Sequence, residues 1–136
     1  MAKYEGGCAC GAVRYATDAD PLMAGHCQCR KCQLLSGTGH SSFAAFPAAA
    51  VKVKGKLTYW DYRADSGNTA SRGHCPTCGS PVLAKTSGFK DMVAVQLASL
   101  DDSSKVTPGM VFFNTKPQVW DHVDAKLQKF PGMPPM

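Results

Sequence analysis

The chain has 136 residues, 44% hydrophobic and 18% charged, with a formal charge of +5 and a pI near 8.9. That length suits one domain with a real core and is short for two, and no run of about 18 apolar residues, as a membrane span needs, occurs anywhere. Met1-Ala2-Lys3-Tyr4-Glu5 shows neither an apolar h-region nor a small-residue cleavage pattern, so a single cytoplasmic, non-membrane domain over 1–136 is expected.

Short apolar runs alternate with Gly, Pro, Ser and Asp clusters, and helical periodicity is scarce. The fold class this predicts is mainly β. In chain order, strands are expected over Gly11 to Thr17, Ser41 to Phe46, Val51 to Val53, Leu57 to Tyr62, Pro81 to Ala84 and Met92 to Leu97. A short helix is expected from Arg30 to Leu35, closed by Gly37. Ala44 to Ala50, with Pro47 and three alanines in a row, reads either as a strand end followed by a turn or as one helical turn. Val13 and Tyr15 share one strand face. Trp60 falls on the face of Thr58 and Tyr62 and is read as a core residue. The proline-rich residues 130–136 are expected to form an irregular tail.

The seven cysteines fall in three groups: Cys8 and Cys10; Cys27, Cys29 and Cys32; Cys75 and Cys78. A reducing compartment keeps thiols free, and an odd number cannot pair fully within one chain. Short spacings separated by long gaps suit thiolates converging on metal, and zinc is the metal expected. Cys75-Pro76-Thr77-Cys78-Gly79 has the form of a zinc knuckle, whose turn brings two sulfurs to the roughly 3.8 Å that tetrahedral zinc requires. Cys8 and Cys10 complete a set of four if the chain bends there, and Gly6, Gly7 and Gly11 give it that freedom.

Cys27, Cys29 and Cys32 then offer three sulfurs. Three protein ligands leave one position for water or substrate, the pattern that separates catalytic from structural zinc. The alternative is that His26, His40 or His74 closes this second site, although these three and His122 read more simply as packed or hydrogen-bonded residues. Arg30 and Lys31 favour thiolate at their cysteine neighbours and would attract an anionic substrate, unless they are only solvated surface. The positive balance points only weakly to nucleic acid, because seven thiolates and two Zn²⁺ together would remove three of the five positive charges.

With these residues in view, the sequence resembles the glutathione-dependent formaldehyde-activating enzyme family, which includes centromere protein V. The resemblance rests on Gly7-Cys8-Ala9-Cys10-Gly11-Ala12-Val13-Arg14-Tyr15, on Cys27 to Cys32 with Ser36-Gly37, and on Arg72 through Cys75 to Ser80. Further matches are Leu100-Asp101-Asp102, Pro108 and Lys116 to Asp121. It implies a zinc-stapled complex of twisted antiparallel sheets with at most short helices, as in a Rab-binding zinc protein and methionine sulfoxide reductase B. It also implies a structural zinc on Cys8, Cys10, Cys75 and Cys78 and a second, labile zinc on Cys27, Cys29 and Cys32, the catalytic cysteines.

The implied activity is that of a carbon-sulfur lyase acting on a thiol/aldehyde adduct such as S-hydroxymethylglutathione, with glutathione or another small thiol as partner and formaldehyde as the carbonyl. Gln28, His74 and Val111 depart from residues common in the family (His, Phe and His, respectively) and bear on substrate. Two rivals remain. One is a non-catalytic zinc-binding module for a protein or nucleic acid partner. The other is a methionine sulfoxide reductase, which needs a redox cysteine outside its zinc ligands.

Overall fold

The computed structural model describes residues 2–133. Among them the elements in chain order are β1 (Tyr4–Gly7), β2 (Arg14–Thr17), β3 (Met23–Cys27), α1 (Arg30–Ser36), β4 (Ser41–Pro47) and β5 (Lys52–Lys54). There follow β6 (Thr58–Arg63), β7 (Thr69–His74), β8 (Pro81–Thr86), β9 (Met92–Gln96), β10 (Met110–Phe112) and β11 (Gln128–Lys129). The protein is mainly β, as expected. β1, β2 and β5 form a small sheet, and the other eight strands form a large one in the order β11-β10-β3-β4-β9-β8-β7-β6.

Pairing is antiparallel except at one edge, where β10 runs parallel to both β3 and β11. The edge contains part of the expected tail: Phe130 donates its N–H to Val111 O at 2.9 Å and stacks on Phe112. Residues 134–136 of that tail lie outside the described part. The ambiguity at Ala44 to Ala50 resolves into both readings in succession, since β4 runs through Pro47 and Ala48–Ala50 then makes one 3-10 turn. α1 extends one residue further than expected and ends at Gly37, whose φ of 76° supplies the left-handed cap.

The two faces of the large sheet have different jobs. Side chains alternate along a strand, so residues opposite one another across the ladder share a face. One cross-strand row, Ala44, Val95 and Leu83, is buried and packs with Phe46 and Val93 against Tyr4, Val13 and Tyr15 of the small sheet. The neighbouring row runs Met23, Ala45, Ala94, Ala84, Arg72, Trp60 and turns to the opposite face. Three alanines in its middle leave a trough, and this trough is the floor of a cleft of about 510 Å³.

Trp60 is not a core residue. It is 46% exposed, because β6 is the edge strand of the sheet and only Tyr62 along it is partly buried. It stacks on Tyr62 at 4.6 Å between centroids, with the Lys31 ammonium 5.4 Å from its ring.

Candidate metal centres

The structure gathers the seven cysteines into the two groups expected from spacing. The Sγ atoms of Cys8, Cys10, Cys75 and Cys78 lie within 4.8 Å of one another, and so do those of Cys27, Cys29 and Cys32. No histidine joins either group among the described residues. His26 instead meets Ser42 Oγ at 2.7 Å, and His40 meets the Asp121 carboxylate at 2.8 Å.

The four-sulfur group joins the N-terminal loop to the knuckle. β1 stops at Gly7, and Cys8 N–H bonds Val13 O at 3.1 Å, which closes the bend that Cys8 and Cys10 need. In the knuckle, Gly79 N–H returns to Cys75 O at 2.9 Å, and Gly79 itself has φ 78°. Ala9 N–H donates to Ser80 Oγ at 3.0 Å and so ties one loop to the other. Sulfur separations of 3.7 Å for Cys8 to Cys10 and 3.8 Å for Cys10 to Cys75 equal the edge of a zinc tetrahedron with bonds of about 2.3 Å. The sulfurs also receive hydrogen bonds suited to thiolates. The Val13 N–H holds Cys8 below the ordinary thiol range, and Ser80 pulls Cys78 down to about 5. This donor set fits a closed zinc site.

The three-sulfur group is built by a change of period at the strand-to-helix junction. Cys27 is the last residue of β3, and Cys29, two residues on, is the N-cap of α1. Cys32 follows one helical turn later, where residues three apart share a face. Cys29 Sγ accepts the Cys32 N–H at 3.3 Å, so the sulfur acts as the cap of the helix. The neighbouring Cys27 and Cys32 thiols hold Cys29 far below the ordinary thiol range, whereas Cys27, crowded by the Cys29 and Cys32 sulfurs, is pushed far above it. Three sulfurs this close share one negative charge easily and a second only at high cost. A cation among them removes that penalty, and the donor set fits a divalent metal.

Behind these sulfurs stands a set of buried amides. Gln28 and Gln33 are 1% and 5% exposed. Gln28 accepts from Asn114 Nδ2 at 2.5 Å and donates to Asp121 at 3.2 Å, while Gln33 donates to Gln28 O and Lys116 O and accepts from Gln118. The loop between Asn114 and Asp121 thus braces the back of the cysteine turn. Gln28, expected from the sequence to bear on substrate, turns its amide toward this brace.

In front of the sulfurs lies the cleft, lined by Cys27, Cys29 and Cys32 and by Phe43 and Tyr62, with Arg30, Lys31, Arg63 and Lys85 as cations. Arg72, which entered the sequence analysis only as part of the resemblance, also belongs to this site. Its Nη2 donates to Cys32 Sγ at 3.2 Å and its Nε to Tyr62 Oη at 3.1 Å. Burial opposes the guanidinium's charge, yet the Cys32 sulfur holds its pKa above the ordinary arginine value. Its place two residues before His74 and the knuckle was the available signal.

Fold and site together define a β protein with one four-cysteine and one three-cysteine group, each able to hold a metal. The profile of the family described as "Glutathione-dependent formaldehyde-activating enzyme" matches residues 3–116. The chain belongs to that family, whose description is consistent with an enzyme of the carbon-sulfur lyase type. A crystal structure of a Rhodobacter sphaeroides protein from a structural genomics programme is similar in fold, with a TM-score of 0.59 and 23% identity. The similarity covers 76% of this chain and 91% of that one. No curated protein matches the sequence.

No helix among the described residues is long and apolar enough to cross a membrane. All seven cysteines are used by the two groups, which leaves no separate redox cysteine for a methionine sulfoxide reductase.

Proposed function

We propose that this chain is one cytoplasmic domain that makes and breaks the carbon-sulfur bond of a thiol/aldehyde adduct, with S-hydroxymethylglutathione as the leading candidate. In this reading Cys8, Cys10, Cys75 and Cys78 hold a structural zinc, and Cys27, Cys29 and Cys32 hold a second one at the reacting centre. The observation that carries the reading is a three-sulfur group at the wall of an apolar cleft that also presents cations. Bound there, zinc would supply a Lewis-acid position at which a thiol stays ionised near neutral pH.

The chain's own residues do the rest. Glutathione carries two carboxylates, and Arg30, Lys31, Arg63 and Lys85 offer positive charge to an anionic thiol entering the cleft. Lys31 is held in place over Trp60 and Tyr62, at 5.4 and 5.5 Å from their rings. The alanine floor admits an extended ligand, and Phe43 gives it an apolar wall. Attack of the thiolate on the aldehyde carbon forms the carbon-sulfur bond and leaves an alkoxide. The alkoxide then takes up a proton to give the hydroxyl of the adduct; in reverse the hydroxyl loses that proton, the carbon-sulfur bond breaks, and aldehyde and thiolate are released.

Exchange NMR with ¹³C-formaldehyde and glutathione tests this directly. The metal-replete protein is expected to accelerate interconversion of free and thiol-bound formaldehyde well above the uncatalysed rate. No acceleration with glutathione or with any other small thiol would remove the reading.

A further inference from the structure

Arg72 and Cys32 are 40 residues apart, and their strands are far apart in the large sheet. Between β7, which bears Arg72, and β3, which leads into the cysteine turn, stand β8, β9 and β4. The contact is closed because α1 brings Cys32 over the cleft and the guanidinium reaches across the alanine trough to meet it. Among the described residues no carboxylate forms an ion pair with Arg72. Its partners are a sulfur and a phenol hydroxyl. A half-buried guanidinium without a carboxylate needs a counter-charge, and the nearest available one is the sulfur cluster.

The charges then balance. Three thiolates around a divalent cation carry a net −1, and Arg72, in contact with Cys32, brings that assembly to neutrality. Arg72 is also the cation shared by the 510 Å³ cleft and a neighbouring cavity of about 360 Å³ lined by Leu35, Ser41, Trp60 and His74. Its orientation is fixed on the other side by Tyr62, which is stacked on Trp60. Lys31, next to Cys32 in sequence, lies over the same aromatic pair, so α1 is latched to the β6–β7 edge at two adjacent positions.

We propose that Arg72 is the positioning residue of the three-sulfur site: its guanidinium supplies the charge that makes three thiolates around one divalent cation neutral, and Tyr62 holds it against Cys32. The inference rests on Cys27, Cys29 and Cys32 holding metal, and does not depend on what substrate they act upon.

Co²⁺ titration of the full chain tests it, with the sulfur-to-cobalt absorption of each site read separately and Cys29→Ser as the reference for the four-sulfur site alone. Arg72→Gln is expected to weaken Co²⁺ binding at the three-sulfur site by about 10- to 100-fold, the usual cost of losing a residue that supports a ligand. Binding at the four-sulfur site stays unchanged. Arg72→Lys, which keeps the charge, recovers most of the loss, a rescue that a purely packing role would not give. Affinity in Arg72→Gln within about threefold of the parent, or a Lys variant as weak as the Gln variant, overturns the proposal. Should Arg72→Gln fail to fold, Tyr62→Phe decides: a weaker three-sulfur site supports the inference, and parent-like affinity overturns it. Absence of any lyase activity in a protein whose second metal depends on Arg72 would defeat the functional reading and leave this one standing.

Discussion

Replacing Cys75 by serine is expected to lower stability by at least about 5 kcal/mol, roughly 15–20 °C in Tm for a chain of this size. Two losses combine. The four-sulfur site becomes a three-sulfur one, and structural zinc in small domains contributes on the order of 10 kcal/mol to folding. In addition Cys75 is fully buried in the core cluster with Cys8, Val13 and Val82, so a hydroxyl at this position loses apolar packing and gains a polar group to satisfy. Cys78 is exposed, and Cys78→Ser is expected to show the metal loss without the packing loss, hence a smaller drop. Thermal melts followed by circular dichroism measure both. A Cys75→Ser protein melting within a few degrees of the parent would mean that these sulfurs do not hold a structural metal.

Cys29→Ser is expected to have the opposite profile, with little change in stability and near-complete loss of activity. Cys29 is the N-cap of α1, its sulfur accepting the Cys32 N–H. Serine is among the preferred residues at that position, so its oxygen can take the same hydrogen bond and keep the helix start. Ligation does not survive the exchange, because two sulfurs and a hydroxyl make a far weaker site for zinc than three thiolates. Metal content is therefore expected to fall from two ions per chain to one, and turnover of the thiol adduct to fall about 10³-fold or more. Elemental analysis beside a kinetic assay reads both quantities. Loss of both metals together would contradict the division of the cysteines into two independent sites.

The division itself was legible in the sequence because metal ligation imposes distances, and only certain spacings at turns and strand ends satisfy them. The strands that could be read, such as Ser41 to Phe46 and Met92 to Leu97, carry aromatic or β-branched residues in a recognisable pattern. Five could not: Tyr4–Gly7, Met23–Cys27 and Thr69–His74 each contain glycine, which has little strand preference of its own, and Met110–Phe112 and Gln128–Lys129 are only three and two residues long. Gly25 shows the cause. A Cβ there would lie 2.5 Å from the Phe112 ring and 2.8 Å from Met110 O, so the close parallel packing of β10 on β3 requires the residue that erases the strand signal.

Trp60 was misread because alternation along Leu57 to Tyr62 implies one buried face, and an edge strand need not have one. The Arg72 contact to Cys32 was beyond reach for a different reason. It depends on the curl of eight strands and on where α1 lies across them, neither of which is encoded in local pattern. The brace of Gln28, Gln33 and Asp121 has the same non-local origin, with its residues lying more than 80 positions apart in sequence.

Absorption spectroscopy of the fully Co²⁺-substituted protein during addition of glutathione addresses the central claim, that four sulfurs serve the fold while three accept an incoming thiol. The sulfur-to-cobalt bands of one cobalt are expected to change and saturate while the other cobalt's spectrum stays fixed, and Cys29→Ser is expected to abolish the response. Spectra that no thiol alters, or that change at both cobalts together, would contradict that claim.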